Sequence, residues 1–262
     1  MRAVAVTTLA AVLIQGCETP KPASEQIEDK LVALHDAVIM YVPDAGRKQR
    51  LHPAIDGFDE ESRAFSAVML AYQESLRALN ADPDATREQF AALAARYDAE
   101  RAAHRGRVTQ HHYSVIALTT AEEWHSLARY EAALFELEFP ARTSGARAGV
   151  VLTGAPLEEL HGKARAAVGE PQRQRAIDAA LARWREQAAR IEQAREQNRK
   201  ALLALLPKHD VVSAEFERLY AQADAIEQEA LEAALDMRFA VREQLSAGRW
   251  RELFASPRAS SS

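Results

Sequence analysis

Histidines and carboxylates at helical spacing are the residues of this 262-residue chain that could do chemistry. Glu122-x-x-His125 and Glu158-x-x-His161 each place a carboxylate and an imidazole one helical turn apart. Di-iron helix bundles use two such pairs with two further Glu, all pointing inward. Here Glu122 falls in a helix first turn and the two pairs flank a proline-bearing stretch, which argues against a shared metal centre. His104, His111 and His112 form the densest histidine cluster, but Arg101, Arg105 and Arg107 surround it. A solvated basic helix face is the expectation there. His35 and His161 are the sharper pair, because they are 126 residues apart and so is much else in the chain. Imidazole with a neighbouring carboxylate would suit zinc, copper, nickel or cobalt; the plainer expectation is a helix-face histidine hydrogen-bonded within the fold. Cys17 is the sole cysteine, and there is neither a Gly-x-Ser-x-Gly elbow nor a phosphate-binding glycine loop. Catalysis is not expected, and no small-molecule substrate is evident.

The offset of 126 is a duplication. Residues 31–127 align with 157–253 without a gap, and 20 of the 97 pairs are identical. Leu31, Leu34, His35 and Val42 recur as Leu157, Leu160, His161 and Val168. Phe90 recurs as Phe216 and Trp124 as Trp250, while Tyr113 is replaced by Phe239. The identities fall on apolar and aromatic positions, which a shared fold would keep.

The elements that carry these positions read as long helices. Ala, Leu, Glu, Arg and Gln dominate the composition, and these are strong helix formers. From Pro171 to Leu206 there is no further Gly or Pro, and Leu181, Trp184, Ala188, Ile191, Leu202 and Leu205 fall on one helical stripe. Pro207 ends that helix, and Asp210 or Ser213 is placed to cap the next. The next helix repeats the spacing from Phe216 through Met237. A short connection makes two long helices antiparallel neighbours. In the first copy Pro53 and Gly57 should break or kink the second helix, Asp82-Pro83-Asp84 makes the hairpin turn, and Thr120 with Glu123 reads as a capping box. The predicted fold class is all-α: two tandem, related helical hairpins, hooked four-helix units that would form a pseudo-dimer. Residues 27–139 and 157–255 are the two units, 140–156 the linker and 256–262 a polar tail.

The N-terminus reads as an export signal. Arg2 precedes an apolar stretch from Val4 to Ile14 that is too short to span a bilayer. Leu13-Ile14-Gln15-Gly16-Cys17 resembles the lipobox of bacterial lipoproteins, which implies cleavage after residue 16, lipidation of Cys17 and a short tether over 17–26. Glu18, in place of Asp, leans towards the outer membrane. The expected location is the periplasm, with the membrane reached through the N-terminal lipid. Loss of Arg2 takes the net charge from -5 to -6, since 32 basic residues then face 38 acidic ones. That balance gives no reason to expect nucleic acid.

Leu118-Thr119-Thr120-Ala121-Glu122 resembles the Leu-Thr-x-x-Gln signature of the periplasmic Spy/CpxP family, and Leu245-Ser246-Ala247-Gly248-Arg249 looks like a decayed copy. Matching these two leucines shifts the offset to 127, so a one-residue slip at this turn is an alternative register. The order of parts is also similar to the related heavy-metal-resistance sensors. The resemblance implies hooked hairpins that pair into a shallow cradle. It further implies a non-enzymatic stress-response or chaperone-like lipoprotein whose partners are unfolded or envelope proteins. Glu122 and Arg249 stand where the family has Gln. Phe90, Tyr113, Trp124, Phe216, Phe239 and Trp250 are the candidate client contacts wherever the fold leaves them exposed. The alternatives are a metal-binding or metal-sensing protein using His35 and His161, or a purely structural lipoprotein.

Overall fold

Eight α-helices make up the described part of this computed structural model, which covers residues 23–138 and 157–254, and no strand occurs among them. The fold is all-α. The first copy supplies α1 (Ala23–Tyr41), α2 (Ala45–Ala81), α3 (Arg87–Ala117) and α4 (Ala121–Glu138). The second supplies α5 (Leu157–Ala166), α6 (Pro171–Leu205), α7 (Ser213–Glu243) and α8 (Ala247–Phe254). Cys17, the signal stretch, the linker and the polar tail lie outside the described residues.

The long helices pair as α2 with α3 and α6 with α7. At 1.5 Å per residue α6 is about 50 Å long. The stripe on α6 is interior as its spacing requires, with Leu181, Trp184, Ala188, Ile191, Leu202 and Leu205 all buried. Local chemistry sets the ends. Asp44 caps α2 by accepting from the Arg47 N–H at 2.6 Å. Thr86 and Gln89 form a reciprocal capping box on α3.

Two local expectations fail. The helix α2 runs unbroken through Pro53 and Gly57. Pro in a helix interior costs about 3 kcal/mol, but Leu51, Ile55 and Phe58 beside it are buried, and that burial holds the helix on course. Gly57 is there for a neighbour: a Cβ on it would stand 2.1 Å from Cε1 of His111, so only glycine admits that ring between α2 and α3. Nor does Asp210 or Ser213 cap α7. Its N-cap is Val212, with no side-chain cap bond, because the helix starts at Ser213 itself and leaves that hydroxyl inside the first turn.

Two cores form, and each mixes the two copies. One gathers α1, the start of α2, the end of α3 and α4 around Leu202, Leu205, Leu206, Val211, Phe216 and Leu219, the tip of the α6–α7 hairpin. The other gathers α5, α6, α7 and α8 around Leu76, Ala85, Phe90 and Leu93, the tip of the α2–α3 hairpin. Each tip is thus seated in the base of the other copy. Between the cores, α2 and α3 are held by stacked rings, with Tyr72 on Tyr97 at 4.2 Å and Phe65 on His104 at 4.3 Å. At the same level of α6 and α7, Arg195 pairs with Glu192 and Glu227, both at 2.6 Å.

Candidate functional site: two aromatic cages

The turn into each final helix sets the site. The Trp124 N–H donates to the Thr120 carbonyl at 2.8 Å, and the Trp250 N–H donates to the Ser246 carbonyl at 2.9 Å. The Thr120 hydroxyl accepts from the Glu123 N–H, and the Ser246 hydroxyl accepts from the Arg249 N–H. Those pairs are all 126 apart, so the turn holds the same register as the rest and there is no slip. The caps equate 119–123 with 245–249, which puts Glu123 rather than Glu122 opposite Arg249. Glu123 also receives both Arg47 guanidinium nitrogens, at 2.5 and 2.8 Å, and Arg47 with the Thr120 backbone holds its carboxyl below the usual range against the opposing effect of burial.

Each tryptophan then reaches across to the other copy. Trp124 Nε1–H donates to the Leu206 carbonyl at 2.9 Å, and Trp250 Nε1–H donates to the Asn80 carbonyl at 2.9 Å. Asn80 and Leu206 are themselves 126 apart. An indole buried in a core needs an acceptor, and the hairpin tip offers a carbonyl that the helix end leaves unpaired.

The six aromatic positions singled out in the sequence fall into two cages. Tyr113 and Trp124 meet Phe216 around His112, with ring centroids 5.2, 5.3 and 5.1 Å from the imidazole. Phe239 and Trp250 meet Phe90 around Arg238, whose guanidinium carbon is 4.7, 5.2 and 4.8 Å from the three rings. His112 and Arg238 are also 126 apart. Phe90, Trp124, Phe216 and Trp250 are buried, and Tyr113 and Phe239 are half-buried. These residues form core walls, not an open concave surface, because each tip brings its phenylalanine down onto the other copy's tryptophan.

The polar centres differ. His112 Nδ1 lies 2.8 and 3.0 Å from the two oxygens of Glu131, and both residues are buried. With Nδ1 taken by the Glu131 carboxyl, Nε2 is left without a partner. A cavity of about 40 Å3 adjoins this pair, lined by residues that include Leu31, Phe58, Thr109, Leu134, Phe135 and Phe216. That is room for about three waters, and the Thr109 hydroxyl on its wall also lacks a partner. In the other cage no carboxylate among the described residues forms an ion pair with Arg238. Its Nη2 donates to the carbonyls of Leu79 and Asp82, at 3.2 and 2.6 Å, so it caps the C-terminal end of α2. Burial pulls this guanidinium down to about 10, so it remains a cation at neutral pH.

The histidine expectations divide. His104 and His112 are buried, and His111 packs against Gly57 and Phe58, so the solvated basic face does not exist. The α3 helix lies between α2 and α7, and Arg101 and Arg105 turn to Asp224 on α7, at 2.9 and 2.6 Å. His125 and Glu122 are exposed on α4. His35 stacks on His52 with Nδ1 atoms 2.7 Å apart, and its Nε2 is 3.1 Å from Asp56. His161 instead bonds Asp178 at 2.7 Å, and Asp178 is the repeat partner of His52. Both His35 nitrogens are committed, in different directions. Among the described residues no group of three or more His, Cys, Asp or Glu could hold a metal ion.

Glu131 and Arg238 were missed in the sequence, and His112 was read there as part of a solvated basic face rather than as a buried partner of a carboxylate. A signal existed: Trp124, Leu127, Glu131 and Phe135 share one helical stripe, on which Glu131 is the polar exception. No family model matches the chain, and neither a curated protein nor a solved structure matches it.

Proposed function

We propose that this chain is a non-enzymatic, lipid-anchored protein of the bacterial envelope that works by binding other proteins, as a stress-response or chaperone-like module. Its two copies act as a built-in pseudo-dimer, a reading supported by the reciprocal Trp124 and Trp250 bonds across copies. The lipobox at Cys17 and the likeness of the final-helix turns to the Spy/CpxP signature support the location and the class. A client surface must lie outside the cages. The observation that carries it is α1, where Val32 and Ile39, two turns apart on one stripe, are 55% and 56% exposed and Met40 is 70% exposed. Apolar side chains grouped on one helix face and left to water mark a protein-binding surface.

The test uses residues 18–262, which contain both cores entire. Substoichiometric protein should suppress aggregation of a denatured client, with or without a chelator. Changing Val32, Ile39 and Met40 to Ser together should abolish suppression and leave the melting temperature unchanged. Suppression that the triple change leaves intact sinks the α1 surface, and no suppression by the parent sinks the chaperone-like reading. A second reading, a metal-responsive protein, rests on the recurrence of His35 as His161, since among the described residues no group of three or more ligand side chains could hold a metal ion. Suppression or partner binding that chelation removes and the His35→Ala change removes would move the assignment there.

A further inference from the structure

The outer face of α4 forms the wall of a second opening. A groove of about 450 Å3 lies between the end of α1, α4 and the end of α6. Its apolar walls are Tyr41, Ala128, Ala132, Leu203 and Pro207. This volume falls in the range of small-molecule sites. Arg129 is the cation of the groove. Its Nη2 donates to the hydroxyls of Tyr41 and Tyr130, at 2.7 and 3.0 Å. Its guanidinium carbon lies over both rings, 5.7 and 4.8 Å from the centroids. Among the described residues no carboxylate pairs with it, whereas arginines such as Arg47, Arg105 and Arg195 each have one.

Both tyrosine bonds use Nη2, so the Nε–H and Nη1–H donors stay available. A guanidinium fixed by two rings and two hydroxyls keeps its fork in one place before any ligand arrives, and such a fork matches a carboxylate or phosphate. The repeat partners of Tyr41, His125 and Leu203 are Ala167, Arg251 and Arg77, so the second copy has neither the tyrosine clamp nor the leucine wall. We propose that this groove binds an anionic amphiphile, with its carboxylate or phosphate head on Arg129 and its apolar body along Ala128, Ala132, Leu203 and Pro207. The proposal does not rest on client binding by α1, although Tyr41 is the last residue of that helix.

The experiment is calorimetric titration of residues 18–262 with dodecanoate below its micellar concentration, run beside dodecyl phosphate, dodecanol, acetate and inorganic phosphate. The expected result is one dodecanoate per chain, bound about tenfold or more tighter than dodecanol, since one charge-assisted contact is worth about that factor. Acetate and phosphate alone should not bind measurably. Whether dodecanoate or dodecyl phosphate binds tighter tells which head the fork takes. Arg129→Gln should remove the preference over dodecanol, and Leu203→Asp should abolish dodecanoate binding by placing a like charge in the groove. Arg129→Gln should melt with the parent, because Arg129 is exposed; Leu203 packs against the core, so Leu203→Asp is titrated below its own melting temperature. Equal affinity for dodecanol and dodecanoate, binding that Arg129→Gln leaves unchanged, or no binding at all would each overturn the proposal.

Discussion

His112 and Arg238 stand at one repeat position inside the same three aromatic walls, and they take different polar partners, a carboxylate for His112 and backbone carbonyls for Arg238. The difference is already in the repeat alignment. Helix α4 has 18 residues, and its third turn brings Glu131 to His112. The repeat partner of Glu131 is Pro257, which has no carboxylate to offer. Arg238 takes the backbone carbonyls of the α2 end instead. The walls of a duplicated core are therefore conserved by packing, while its polar centre follows whatever the neighbouring helix can deliver. The longer α4 also lines both openings described here, one on each face.

The largest expected effect tests the symmetry itself. Trp124→Ala and Trp250→Ala should each cost about 3–5 kcal/mol in denaturant unfolding, from the lost ring and the orphaned carbonyl. Equal costs would mean the two tip-to-base contacts carry equal weight. A difference above about 2 kcal/mol would break the comparison. Next comes Glu131→Ala, which should cost about 3 kcal/mol because it leaves His112 buried and unpaired. Adding His112→Phe to that variant should recover much of the loss. Arg238→Met should cost only about 1–2 kcal/mol, since it forfeits two hydrogen bonds and strands no buried charge. If Arg238→Met proves the more damaging, the carbonyl cap is the stronger centre and the ranking here is wrong.

The middles of the hairpins should part under alkali. Burial pushes the Tyr72 phenol up to about 12 and raises Tyr97 as well, whereas an unfolded tyrosine ionises near 10. A folded phenol that stays protonated while the unfolded one ionises loses its stabilisation as pH rises. Stability should be fully present below about pH 10 and fall between about 10 and 12, by on the order of 1 kcal/mol once partial exposure of Tyr72 is allowed for. Tyr72→Phe should flatten that slope. The Arg195 pairs at the same level of the second hairpin should not contribute to it, because Glu192 and Glu227 hold that guanidinium above its ordinary value despite burial. The smallest effects concern the caps. Val212→Ser should gain about 1 kcal/mol by supplying α7 with the cap that Thr86 gives α3, and Thr86→Ala should lose about as much. Thermal melts of the two variants would read both.

The register of the duplication was legible in the sequence because its markers are large apolar residues, and a misplaced Trp or Phe cannot be absorbed elsewhere. The Thr120–Glu123 box was legible because it is made within one turn of chain. Both Asp82-Pro83-Asp84 and the α6 stripe were read the same way, from residues whose preference is local. The failures were long-range. Pro53 and Gly57 read as breaks until the buried neighbours and the His111 ring were in place. His104 and His112 read as solvent-facing because the arginines beside them look like a polar surface, and only α7 supplied the Asp224 that takes those arginines inside.

Taken alone, the amino-acid sequence determined that this protein is all-α and where most helices begin and end, and it set the 126-residue offset at which similar residues recur. The fold class and the helix ends follow from propensity, period and capping, which act over a few residues. The tertiary structure decided that each hairpin tip seats in the other unit, that six aromatics become two cages, and that one cage holds a His–Glu pair and the other a capped arginine. Such choices depend on which faces meet across 80 to 170 residues of chain, a separation at which side-chain period carries no information about partners.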